Sequence, residues 1–138
     1  MHSVDFDVNL DSEAIAGRFD LRGQYAWSSI DDAVYDEDGS LGFGPLAYSN
    51  DRDGGYVQVS YRPTRLSEKF ITNLEVLARY DRANNPSGAI DPTDENRTTL
   101  GLDYWLDSGT VFKIAYEIDN KSGGDNNNAF LTQVATGF

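Results

Sequence analysis

The chain contains no cysteine, and only one methionine and one histidine among its 138 residues. Without cysteine there is no disulfide framework, no thiolate zinc site and no thiol nucleophile. Basic residues are also scarce: 11 Lys+Arg stand against 23 Asp+Glu, a net charge of -12, which argues against a nucleic-acid backbone as partner. No run of about 18 apolar residues occurs, so a transmembrane helix is excluded. The opening "MHSVDFDVNLDSEA" has neither the basic start nor the apolar stretch of a signal peptide. No Ser-His-Asp set, phosphate-cradling glycine loop or metal-ligand cluster can be picked out, so neither an enzyme nor a cofactor or metal site is expected. His2 stands alone and takes no role.

What the sequence has in abundance is alternation. In "IAGRFDLRGQYAWSS" the odd positions Ile15, Gly17, Phe19, Leu21, Gly23, Tyr25 and Trp27 oppose Arg18, Asp20, Arg22 and Gln24. A period of two over that length specifies a strand with two unlike faces. Six further segments pass the same test: "VDFDVNL", "YVQVSYR", "KFITNLEVLARYD", "RTTLGLDYWL", "TVFKIAYEID" and the closing "AFLTQVATGF". Short turns, "DSEA", "PTRLS" and "DSG", alternate with long connections at 29–55, 82–95 and 120–128. The expectation is an all-β, antiparallel up-and-down meander of about seven strands, one domain over 1–138, whose two rims differ.

Two structures fit such a meander. One is a soluble secreted β-sandwich that binds a carbohydrate or protein; the other is part of a transmembrane β-barrel, with the apolar face toward lipid and the charged face toward a lumen. The mean hydropathy of -0.52 is compatible with both, because alternation hides the apolar half in the average. Three features favour the barrel. The segments 15–27 and 69–81 alternate over about 13 residues, beyond the ~5–6 usual for globular strands and enough for the ~9–11 of a tilted membrane strand. Aromatic residues gather at both ends of the apolar face: Tyr61, Phe70, Tyr104, Phe112 and Phe138 near the short turns, and Tyr25, Trp27, Tyr80 and Phe130 near the long loops. Rings in two girdles around an aliphatic band mark the two headgroup levels of a membrane. The third feature is the contrast of short turns with long loops itself.

The stretches "NLEVLARYDRANNP", "NRTTLGLDYWLDSGTVFKIAYE" and "FLTQVATGF" carry a family resemblance. They resemble the C-terminal hairpins of Gram-negative outer-membrane porins, nearest the phosphate-selective porin O and P type and its relatives, over about the last half of the chain. The resemblance implies residence in the outer membrane among its lipids, passive diffusion of ions and small hydrophilic solutes, and a homotrimer when full length. It also implies that the terminal Phe138 is read by the barrel assembly machinery. Seven strands is an odd number where bacterial barrels have even ones, so the chain is expected to be the C-terminal part of a longer porin.

On the polar face the pore-lining candidates are Arg18, Asp20, Arg22, Arg62, Lys69, Glu75, Arg79, Arg97, Asp103, Lys113 and Glu117. With Asp5, Asp7, Asp81 and Asp119 they make seven cations against eight anions, near balance. Such opposed charges either pair across strands and stiffen the wall or set an electrostatic filter. A phosphate-selective pore needs a one-sided cationic ladder, and this face has none, so that selectivity does not carry over. The acidic surplus lies in the loops, at Asp31, Asp32, Asp36, Glu37, Asp38, Asp51 and Asp53 above all. "YDEDGS" and "NDRDGG" lack EF-hand spacing, and no calcium site is expected there. Within the same loop "LGFGPLAY" is apolar and fits either a fold-back constriction or an extended hairpin.

Overall fold

The computed structural model describes residues 1–35, 39–42, 44–85, 94–122 and 126–137. Its strands are β1 (His2–Ser12), β2 (Gly17–Ser28), β3 (Ala33–Tyr35), β4 (Leu46–Tyr48), β5 (Arg52–Arg62), β6 (Leu74–Asn84), β7 (Glu95–Trp105), β8 (Thr110–Lys121) and β9 (Asn128–Thr136), with one helical turn, α1 (Lys69–Thr72). Seven strands form one open antiparallel sheet in the order β1-β2-β5-β6-β7-β8-β9, while β3 and β4 pair in a sheet of their own. Each strand of the main sheet neighbours the next in the chain, as in a meander.

The register keeps the alternation in phase. Val8, Leu21, Val59, Ala78, Leu100, Tyr116 and Phe130 follow one another across the sheet as paired residues. On the opposite face Asp7, Arg22, Gln58, Arg79, Thr99 and Glu117 do the same. A slip of one residue at any pair would bring the two faces together, so the pattern itself fixes the pairing.

Burial is inverted relative to a water-soluble core. Val111 is the buried apolar side chain among the described residues, whereas Asp20, Ser60, Asp103 and Asp119 are buried on the charged face. Val4, Val8, Leu100, Phe130 and Val134 are all more than half exposed. Exposed leucines scattered singly are ordinary; a whole exposed apolar face is a surface awaiting a partner or an apolar solvent.

The structure corrects several expected boundaries. The long segment 69–81 is two elements: Lys69, Phe70 and Ile71 lie in α1, and the strand starts at Leu74. Backbone bonds from Ile71 N and Thr72 N to the Glu68 carbonyl, and from Asn73 N to that of Lys69, close the helical turn, while Asn73 returns its carbonyl to Trp105 N at 2.9 Å. Ile71, an apolar residue at a polar-face parity in the sequence, thus lies in a helical turn and not on the strand. Strand β2 begins at Gly17; Ile15 and Ala16 belong to the preceding turn, where Ala16 has φ 51°. Conversely Arg52–Gly55, expected as loop, extend β5 opposite Tyr25–Ser28. The loop stretch 41–48 contributes β4 to a hairpin with β3. Phe138 lies outside the described residues, as do Asp36, Glu37 and Asp38.

Candidate functional site

Charged side chains of the sheet's polar face cluster in two groups, because the register sets complementary residues beside one another. The first surrounds Arg97 near the long-loop rim. Its Nε lies 2.6 Å from Asp119 Oδ1 and 3.8 Å from Glu117, and its Nη2 lies 3.0 Å from Glu95 Oε1. Lys121 adds a second cation 3.7 Å from Glu95. One row away, Arg79 pairs with Asp81 at 2.6 Å and lays its guanidinium 3.9 Å from the centre of the Tyr56 ring. An arginine held by a carboxylate on its edge and a ring on its face has little rotational freedom left. Asp103, 4% exposed, is met by Lys113 at 3.2 Å.

The second group lies toward the short-turn rim, around a cleft of about 640 Å³ lined by Arg18, Asp20, Arg22, Arg62, Glu75 and Trp105, among others. Arg18 and Arg62 are directly paired residues, a like-charge juxtaposition that costs stability unless each cation is otherwise satisfied. Arg18 turns to Asp20 at 3.0 Å. Arg62 donates through Nε to the Thr72 carbonyl at 2.8 Å and rests its guanidinium 5.1 Å from the Trp105 ring. Trp105 in turn donates Nε1–H to Glu75 Oε2 at 2.9 Å. Arg22 differs from both: its Nε is buried without a hydrogen-bond partner among the described residues. The cleft therefore offers a flat ring, the three carboxylates Asp20, Glu75 and Asp107, and one under-satisfied guanidinium. That set can hold small polar solutes by hydrogen bonds and charge.

Ten of the eleven pore-lining candidates stand on the polar face of the strands; Lys69 is on α1 and exposed, outside the wall. The structure joins Arg97 with Glu117, Asp103 with Lys113, and Arg18 with Asp20, and it gathers Arg22, Arg62 and Glu75 about the cleft. Sequence reasoning left out Trp105, Asn73 and Glu95. The pattern did signal the first: an indole on the charged side of an otherwise sorted strand needs a polar partner for its N–H. Phe70, although off the strand, packs against Tyr104 with ring centres 5.3 Å apart and planes tilted by 35°. Among the described residues no group of three or more His, Asp or Glu is arranged to hold a metal. Compared with known protein families, curated proteins and solved structures, the chain matches none.

Proposed function

We propose that this sheet is part of the wall of an outer-membrane diffusion porin, non-enzymatic, passing ions and small hydrophilic solutes along its charged face while its apolar face meets lipid. One observation carries the reading: the aromatic lines that bound the aliphatic band run obliquely to the hydrogen-bonded rows. The row that holds Phe130 on β9 meets β2 at Leu21, six residues from Trp27, and the row of Tyr80 on β6 meets β2 at Gly23, four residues from Trp27. The other line drifts the same way, with Tyr104 and Phe112 one row nearer the short turns than Phe19 and Tyr61. Four residues to Tyr25 or six to Trp27, at ~3.4 Å each across five strand spacings of ~4.8 Å, give a slant of ~30–40°. Strands of a closed barrel tilt by ~35–45° from the axis, and rings held at a constant depth on tilted strands trace such a line. A sandwich core gives its aromatics no common oblique level.

The porin resemblance of the last half of the chain supports the same reading and adds its partners: outer-membrane lipid, the assembly machinery through Phe138, and two further barrels in a trimer. Both outer edges, β1 and β9, need covering in lipid, which fits a chain that supplies part of a longer barrel. Reconstitution tests the reading. In the full barrel, stepwise conductance with at most weak cation preference is expected in a planar bilayer; strong anion preference or no steps would refute it. If the present chain is monodisperse in plain buffer and unfolds cooperatively there, the soluble β-sandwich replaces the porin.

A further inference from the structure

The apolar face is interrupted near the long-loop ends of β2, β5 and β6. Gly23 and Gly55 lie on this face, where neighbouring rows carry Leu, Val or aromatic side chains. Neither glycine has room for a Cβ: at Gly23 it would come within 2.7 Å of the Phe6 ring, and at Gly55 it would strike the Gln24 carbonyl and approach the Tyr25 ring to 3.0 Å. Phe6 covers Gly23, and Gly54 and Gly55 floor a trough of about 350 Å³ with Phe6, Tyr25, Val57 and Tyr80 in its walls. At its end stands Arg82, whose paired residue is Gly55 and whose row continues to Tyr25. On its own strand Arg82 stands two residues beyond Tyr80 toward the long loops, which sets it just outside the upper aromatic line.

Arg82 is exposed, and it is poorly compensated. Its Nε donates to Asn84 Oδ1 at 3.0 Å, and no carboxylate lies within ion-pair distance among the described residues. The acid of the trough, Asp53, acts on Arg82 through its charge but spends its hydrogen bonds elsewhere. It accepts from the Tyr25 hydroxyl at 2.9 Å and from Asn84 Nδ2 at 3.0 and 3.1 Å. A cation with no carboxylate in contact among the described residues, beside a narrow apolar trough, is complementary to a molecule with an anionic head and an extended hydrocarbon tail.

The geometry points to a lipid site: the trough seats one acyl chain of a phosphate-bearing lipid, and Arg82 binds its phosphate. The inference rests on the membrane reading above. Moving a chain from bulk lipid into a groove yields no hydrophobic gain, so the preference comes from close packing on the rings and from the phosphate contact. Arg suits that contact because its planar fork meets two phosphate oxygens at once. Tyr25 and Tyr80, with Trp27 stacked on Tyr25 at 5.8 Å, hold the tail at the entrance.

The same stack supplies the probe. Trp27 is on the apolar face beside the trough, whereas Trp105 is on the polar face, so bromine on a lipid chain quenches Trp27 selectively. The full chain is reconstituted in bilayers of a neutral glycosyl diacylglycerol, into which dibrominated phosphatidylglycerol or dibrominated glycosyl diacylglycerol is titrated. Stronger quenching by the phosphatidylglycerol is expected, with a relative binding constant of about fivefold, the ~1 kcal/mol that one cation near an anionic lipid is worth. Arg82→Gln should abolish the preference and Arg82→Lys should keep most of it. Equal quenching by both lipids in an inserted chain overturns the lipid site and leaves the membrane reading standing. Failure to insert, with no quenching by either, overturns both.

Discussion

Lys113 and Arg22 show how differently two cations can sit on one face. Lys113 lies 3.2 Å from Asp103, whose carboxylate is almost fully covered, so removing the lysine strands a buried charge. Lys113→Met is expected to lower the unfolding free energy by about 1–3 kcal/mol, read from urea titration of the folded chain in detergent. In the double variant Lys113→Met with Asp103→Leu most of that loss should return, because no unpaired charge remains. Arg22 has a buried nitrogen with no partner, and truncating it removes an unsatisfied donor. Arg22→Met should leave stability unchanged within about 0.5 kcal/mol or raise it. On the proposed porin reading, the same substitution in the full barrel should move the reversal potential toward cations, since the proposed pore wall loses a positive charge. A stability loss as large as that of Lys113→Met would show that Arg22 is paired after all.

At the scale of elements, the strands follow from period-two alternation, and their partners follow from chain order once every connection is a hairpin. Leu77 is the instructive exception: in the sequence it breaks the polar face, and in the structure it lies over its paired residue Gly101. A Cβ on Gly101 would come within 2.9 Å of Leu77 Cγ, so the large and small residues form one filled position across two strands. Gly101→Val should therefore cost about 1–3 kcal/mol by overpacking, and adding Leu77→Ala should recover most of it; equal losses in the single and double variants would refute the complementarity.

The same exchange explains what was not legible. A glycine or leucine that violates the pattern is explained by its neighbour across the sheet, which a single sequence does not display. Arg52–Gly55 read as a turn because Asp-Gly-Gly favours turns, yet β2 continues to Ser28 and offers them a full partner. Residues 69–72 read as strand because Phe70, Leu74 and Val76 share a parity; the helical turn wins through backbone bonds that parity does not encode. For the charged face, the residue types were readable, but the clustering of three carboxylates on Arg97 and Lys121, and the cleft at Arg62 and Trp105, arise only when five strands are set side by side.

For the whole molecule the decisive contrast is between the two faces. Leu100 lies within the aliphatic band and is 53% exposed. If water bathes that face, Leu100→Arg changes stability by no more than about 0.5 kcal/mol, as surface substitutions do. If hydrocarbon does, the cost is about 2–4 kcal/mol at mid-depth. The second outcome is expected for the chain in bilayers, measured by reversible urea unfolding from vesicles. Thr99→Arg, one residue along and on the opposite face, should cost far less.

The open sheet has one further consequence, for how copies can meet. Counting along the meander, β1 and β9 run in the same direction, so both free edges have the same polarity. In water nothing orders one molecule relative to another, and a copy turned end over end can zip its edge to either of these in antiparallel fashion, which is how exposed edges aggregate. A bilayer that gives every copy the same up-down orientation removes that choice: any seam between two of them, whichever edges meet, is parallel and the weaker for it. Orientation by the membrane would thus act as a filter against self-association, leaving the edges for a strand that runs the opposite way.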